Sequence, residues 1–242
     1  MPLQGMCVLP MLLVVSSSST FVINYIIAVV PRHIDVIFPY ISDAGTIPPE
    51  SCIFGLMLSL TSVTGVATIY AHYKFIERLA EKQALVRPLV NQIALGVGLV
   101  SCFGMFVVAT FQETIQRSVH NFGAILHFLT GVIYLIMQTC ISYQTQCCGL
   151  SKAICWTRVF LASVAFLTLI PTLVCALLVE STQLRWTGDE QEYGVHLASA
   201  VCEWTVAFTL VFYFFTYIEE FKVSLGLKVN WGQENVPLWS VV

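Results

Sequence analysis

The sequence predicts an all-α polytopic membrane protein with six transmembrane helices and both termini on the cytosolic side. Three observations predict it. Of 242 residues, 57% are hydrophobic and only 10% are charged, where a soluble domain carries about 25% charged residues; mean hydropathy is +0.81. The apolar residues gather into six runs, each near the ~20 residues that cross a bilayer as a helix. Lysine and arginine are shared unequally between the connections, so the runs alternate in direction across a basic and an acidic flank.

The first run, about residues 8–30, follows MPLQGMC with no preceding Lys or Arg and no clear small-residue cleavage site. It therefore reads as a retained span rather than a removed signal peptide. The others fall at about 52–70, 89–111, 119–141, 156–179 and 194–217. Their length excludes barrel strands, which are shorter and alternate. Residues 1–217 thus form one transmembrane domain, and 218–242 form a short cytosolic tail. One flank collects Lys74, Arg78, Lys82, Arg87, Lys152, Arg158, Lys222 and Lys228; the other has only Arg32, Arg117 and Arg185 beside eight acids. The positive-inside rule puts the first flank in the cytosol.

The connection between spans one and two reads FPYISDAGTIPPE. Pro48 and Pro49 precede the second span, where proline suits the first helical turn and Glu50 meets the positive end of the helix dipole. Asp43-Ala44-Gly45-Thr46 has turn chemistry, and Phe38 and Tyr40 fit headgroup-level anchors. The loop is either a rigid lid joining two spans or a recognition surface.

Its wording carries a resemblance. With Gly55 and Tyr70 after it, the loop resembles the first luminal loop and second span of the damage-regulated autophagy modulator family. Phe111-Gln112-Glu113, His120 with Gly123, Gln138 through Ile141-Ser142-Tyr143, Cys202-Glu203-Trp204-Thr205-Val206-Ala207-Phe208 and Phe215-Thr216-Tyr217-Ile218 fit the same pattern. The similarity runs over nearly the whole chain. The short segment after Tyr217 is like that of the family's short-tailed branch. The last non-cytosolic loop departs, with Trp186-Thr187-Gly188-Asp189-Glu190 where Trp-Asn-Pro is expected. The resemblance implies a lysosomal, multi-pass regulator that promotes autophagy and stress-induced cell death, acting through membrane-protein partners. It brings no catalytic residue, cofactor or metal ligand with it.

The residues themselves add candidates. Glu203 is the one acid well inside a span; an ionised carboxylate there must face the bundle, be protonated or find a partner. It reads either as a proton- or substrate-coupled site or as a hydrogen bond fixing helix packing. His196 lies seven residues earlier on the same helical face, and His120 and His127 repeat that spacing on span four. With Glu203 they form a candidate polar site, and His120 and His196 suit a luminal pH sensor if exposed; caps or interhelical hydrogen bonds are the simpler reading. Tyr40, Asp43, Gly45, Pro48 and Pro49 are the candidate loop residues. Asn24, Asn91 and Gln138 read as interhelical glue, and Gly96, Gly98, Gly104, Gly123 and Gly131 as points of close helix approach. Pro171 reads as a bend in span five. Arg158 reads as snorkelling to headgroups. Cys147 and Cys148, beside a span in a reducing compartment, are candidate palmitoylation sites.

No nucleotide loop or metal-binding motif is present in the sequence, so no cofactor is expected. The expected contacts are the bilayer and membrane-protein partners, not nucleic acid, with any small-molecule substrate unspecified. A non-enzymatic regulator is the leading reading. A transporter or transporter accessory for small solutes such as amino acids is the alternative, as is a lipid-handling protein.

Overall fold

The computed structural model describes residues 7–83, 86–146, 151–178, 184–186 and 192–221. Among these, the chain is helical with no strand, and six helices are long and apolar enough to cross a membrane. They are α1 (Val8–Val29), α2 (Glu50–Gln83), α3 (Pro88–Thr110), α4 (Arg117–Gln144), α5 (Lys152–Leu178) and α6 (Tyr193–Phe215). A multi-pass membrane protein in contact with the lipid bilayer follows from these spans. Consecutive helices pack side by side, and α1 closes the ring against α6. We call the end carrying the 30–49 loop the acidic end, and the opposite one the basic end.

Local chemistry sets the helix boundaries. Arg87 is extended (φ −64°, ψ 126°) and Pro88 opens α3, as expected for a residue before proline and a proline that needs no donor. α2 begins after Pro48-Pro49 with Glu50 in its first turn. It then runs to Gln83, well past the apolar run that ends at Tyr70, so the charged stretch from His72 onward is a helical extension rather than a loop. α5 passes through Pro171 as one helix. After a turn at Thr216 the chain adds another helical turn over 217–221, and Ile218, Glu220 and Phe221 are buried in the bundle.

Outward faces carry large apolar side chains such as Leu56, Leu60, Phe103, Phe122, Trp156 and Leu167, the reverse of a soluble surface and the form a lipid-facing surface takes. Inside, Val132, Leu135, Ala165, Ala200, Val206 and Tyr213 are essentially inaccessible. Close approach of α3 and α4 depends on Gly104 and Gly123: a Cβ on Gly104 would stand 2.5 Å from the His127 amide nitrogen, and one on Gly123 would stand 3.1 Å from the Gly104 carbonyl oxygen. Gly98 and Gly131 are also tightly faced, but Gly96 meets nothing within 4 Å; its expected packing role is not there. Polar glue is specific. Asn91 donates to the Tyr73 carbonyl at 3.0 Å, joining α3 to α2. Ser62 does the same toward the Cys102 carbonyl at 2.7 Å. Asn24 instead bonds within its own helix, to the Thr20 carbonyl at 2.8 Å.

Candidate functional site

The loop after α1 turns inward and plugs the acidic end. Its return begins at Arg32 and Phe38, both in the left-handed backbone region (φ 62° and 42°). Residues 41 to 46 are all buried, while Pro48 and Pro49 stay exposed. This is the lid geometry, and each letter of ISDAG has a place in it. The Ile41 amide donates to Glu203 Oε2 at 3.1 Å, and Ser42 Oγ donates to Glu113 Oε2 at 2.6 Å. Asp43 Oδ2 accepts from the Tyr40 amide at 2.9 Å, reaching back to fasten the start of the turn, and Thr46 Oγ1 donates to the Asp43 carbonyl at 2.8 Å. Gly45 lies so close to Phe54 that a Cβ would stand 2.5 Å from its ring. Further back, Trp204 Nε1 donates to the Pro39 carbonyl at 2.8 Å, and Tyr25 Oη to the Val36 carbonyl at 2.7 Å. Trp204 is thus a loop anchor as well as a packing group.

Tyr40 is not a headgroup anchor. It meets His196 edge to face, with centroids 4.7 Å apart, and Trp186 stacks on His196 at 4.6 Å. Trp186 is itself held by its amide, which donates to Asp35 Oδ2 at 2.6 Å. Phe38, by contrast, is exposed. His33 Nδ1 pairs with Glu50 Oε1 at 2.7 Å, so the acid that opens α2 has a side-chain partner beside the helix terminus.

The four candidate polar residues are brought to one end but not to one contact. Glu203 and His196 lie on the same face of α6 and are bridged by successive loop residues, Ile41 on one and Tyr40 on the other. His120 donates from Nδ1 to the Phe111 carbonyl at 2.7 Å and has Nε2 4.0 Å from Glu113 Oε2. His127 sits deeper and ties α4 to α3: its Nδ1 donates to the Ser101 carbonyl at 3.0 Å, and Ser101 Oγ donates to the His127 carbonyl at 2.9 Å. His120 and His196 are 4% and 2% exposed. That burial removes the solvent access on which the sensor reading of these histidines rests.

Three carboxyls therefore gather under the plug. Because Ile41 and Ser42 are adjacent, the Glu203 and Glu113 groups they bond lie close together, and Asp43 is next in line. No Lys or Arg pairs with Asp43 or Glu203 among the described residues. Burial, and then the nearby Glu113 and Glu203 charges, hold the Asp43 carboxyl well above the usual carboxylate range, against the opposing pull of the Tyr40 amide. Burial likewise pushes the Tyr40 phenol up.

Below the plug lies a cavity of about 80 Å³. Ile41, Ser42, His120 and Glu203 are at its acidic end, and Ile69, Gly98, Tyr134, Leu135 and Phe214 at the other. His127 also lines it, but His196 does not. Among the described residues no three His, Cys, Asp or Glu side chains are placed to hold a metal ion.

A second polar centre, unforeseen in the sequence, lies at the basic end. Arg158 is completely buried rather than snorkelling. Its guanidinium donates to Glu220 Oε1 at 2.8 Å, to Thr216 Oγ1 at 2.8 Å and, by a short bond, to Ser142 Oγ. Glu220 Oε2 accepts from His72 Nε2 at 2.7 Å, and His72 stacks on Tyr217 at 3.9 Å. Arg158 also lies over the Tyr217 ring at 5.0 Å. The helical extension of α2, α5 and the turn after α6 are thus tied together by the Arg158–Glu220 ion pair and the His72–Glu220 hydrogen bond. The available signal was the position of His72, Arg158 and Glu220 close to span ends on one flank. Cys147 and Cys148 lie outside the described residues.

Comparison with known proteins gives a consistent result. A family model described as Frag1/DRAM/Sfk1/Cwh43P N-terminal domain matches residues 5–224. DNA damage-regulated autophagy modulator protein 1 of Homo sapiens is 42% identical over 228 residues, covering 94% of this chain and 95% of the relative. DNA damage-regulated autophagy modulator protein 2 of Mus musculus is 36% identical over 236 residues, covering 94% and 88%. Transmembrane protein 150A of Homo sapiens is 31% identical over 183 residues, covering 76% and 61%. No solved structure matches.

Proposed function

The chain belongs to the Frag1/DRAM/Sfk1/Cwh43P family, and from that premise we propose that it modulates autophagy as a non-enzymatic, multi-pass protein of the lysosomal membrane. The observation that carries this reading is similarity along almost the full length of both chains to relatives named as autophagy modulators. In this reading the basic flank and both termini face the cytosol, and the plugged acidic end faces the lumen. The protein acts through other membrane proteins, which its extensive apolar flanks can meet within the bilayer, and it contributes to stress-induced cell death.

A transporter or transporter-accessory role is the second reading. It is favoured by one observation, a carboxyl at the end of an internal cavity. One experiment addresses both. Glu203→Gln and Glu203→Leu variants are returned to cells lacking the protein, and lysosomal residence, autophagic flux and lysosomal amino-acid efflux are scored separately. The regulator reading expects flux to depend on the protein while efflux does not change. Loss of efflux at normal location and unchanged flux would overturn it in favour of transport. Failure of the intact protein to reach lysosomes or to alter flux would overturn the reading altogether.

A further inference from the structure

The plug and the wall it closes against are fastened through acids on both sides. Asp43 rides on the loop, Glu203 stands on α6, and Glu113 lies on the connection between α3 and α4. Each offers one carboxyl oxygen as an acceptor: Asp43 Oδ2 to the Tyr40 amide, Glu203 Oε2 to the Ile41 amide and Glu113 Oε2 to the Ser42 hydroxyl. A protonated carboxyl keeps its carbonyl oxygen, so all three bonds survive in the neutral form. Ionised, the same groups set like charges across one buried seam, where water screens them poorly. Repulsion then acts between loop and bundle, and lifting the loop relieves it.

The surrounding elements do not cancel that repulsion. α1 packs on the 43–45 turn without an acid, a base or a histidine. α2 packs on it too and brings Glu50, already paired with His33. Asp35 of the same loop accepts from the Trp186 amide. α4 brings Arg117 at its start and His120, whose Nε2 is 4.0 Å from Glu113 Oε2. α6 adds His196 beside Tyr40. No ion pair among the described residues joins a Lys or Arg to Asp43, Glu113 or Glu203. A charged His120 would hold Glu113 in place, so its protonation works in the same direction as that of the acids. Burial, followed by the Glu113 and Glu203 charges, raises the Asp43 carboxyl above its ordinary range, in keeping with a group that ionises late while the loop is seated.

The geometry also permits movement. Residues 41–46 are buried, but the shoulders at 36–38 and 48–49 are exposed. Between these shoulders the loop can lift without unwinding a spanning helix. Lifting it removes Ile41 and Ser42 from the cavity they help to line, beside Glu203.

We propose that the Tyr40–Thr46 plug is a pH-operated closure, seated in acid while at most one of Asp43, Glu113 and Glu203 is charged, and released toward neutral pH as they ionise together. Its release opens the cavity and the Glu203 carboxyl to solvent at the acidic end. The carboxyls, not the buried histidines, set the response. This inference concerns the isolated molecule and does not depend on the lysosomal or autophagy reading.

The test is hydrogen exchange on the intact chain in phosphatidylcholine nanodiscs, read by mass spectrometry. After correction for the chemical exchange rate at each pH, amides 40–46 should be at least about tenfold better protected at about pH 5 than at about pH 8. Peptides from the middle of α5 should show no such difference. Asp43→Asn with Glu203→Gln keeps an acceptor oxygen at both positions and removes two of the three charges. That chain should hold the loop protected at both pH values, within about threefold. Asp43→Asn alone should shrink the pH difference at least about threefold, which keeps the test decisive if unprotected α5 amides reveal that the double substitution does not fold. His120→Gln should retain most of the difference. Equal protection of 40–46 at both pH values would overturn the proposal. So would a change shared by α5, a full pH difference in the Asp43→Asn chain, or loss of the difference in His120→Gln.

Discussion

The two ends of the bundle bury ionisable groups in opposite ways. At the basic end Arg158 and Glu220 form an ion pair, and His72, from a third element, shares the Glu220 carboxylate by a hydrogen bond. At the acidic end Asp43 and Glu203 are buried with amide donors and, among the described residues, no Lys or Arg pairing. The first arrangement pairs its acid with a cation from within the chain and fastens α2, α5 and the turn after α6. The second gathers carboxyls beside a cavity without a cation among the described residues, and burial raises that of Asp43. A buried ion pair is worth little against an apolar substitute, but half of one is very costly; the acidic end avoids that cost only with neutral carboxyls or a bound cation.

The largest expected effect would break the basic end. Arg158→Leu strands Glu220 and should cost about 3–5 kcal/mol, seen as loss of folded protein and a lower unfolding temperature in detergent. Combining it with Glu220→Leu should recover much of that loss; no recovery would mean the triad is not a unit. Next, Gly45→Ala drives a Cβ into the Phe54 ring and should cost about 1–3 kcal/mol by overpacking. Phe54→Leu in the same chain should relieve it, by the same unfolding measurement.

A pH series sharpens the contrast. A carboxyl raised by folding stabilises the fold fully below its unfolded value, 3.8 for Asp43, and that contribution is lost as pH rises toward the folded value. The intact protein should therefore unfold at a higher temperature in acid than near neutrality, and Asp43→Asn should flatten that slope. The smallest effect is expected of Glu203→Gln. Its side-chain oxygen still accepts from the Ile41 amide, so stability should change by less than about 1 kcal/mol. A large loss would mean that Glu203 serves the fold as Glu220 does.

The six helices were legible because apolar runs of spanning length report burial in lipid without any knowledge of partners. The family was legible from the order of its loop and span motifs, and the chain's relatives agree. The candidate site was legible in part. Seven-residue spacing put His196 and Glu203 on one face, but the bridge through Tyr40 and Ile41 joins residues 162 apart in the case of Glu203. Arg158 was misread for the same reason. A basic residue near a span end snorkels unless an acid is folded over it, and Glu220, 62 positions away, is that acid. Tyr40 was misassigned because an aromatic at a span edge looks the same whether it faces headgroups or a histidine. Composition reports the medium around a helix; it does not report which neighbour turns inward.

The buried turn at 217–221 bears on how the chain can be engineered. Phe221 and Glu220 are interior residues, so trimming the carboxy-terminal stretch back to Tyr217 would pull a counter-ion out of the membrane domain along with the tail. Reporter fusions and deletion series belong beyond Phe221; a cut made earlier would confuse the loss of a trafficking signal with the collapse of a helix junction.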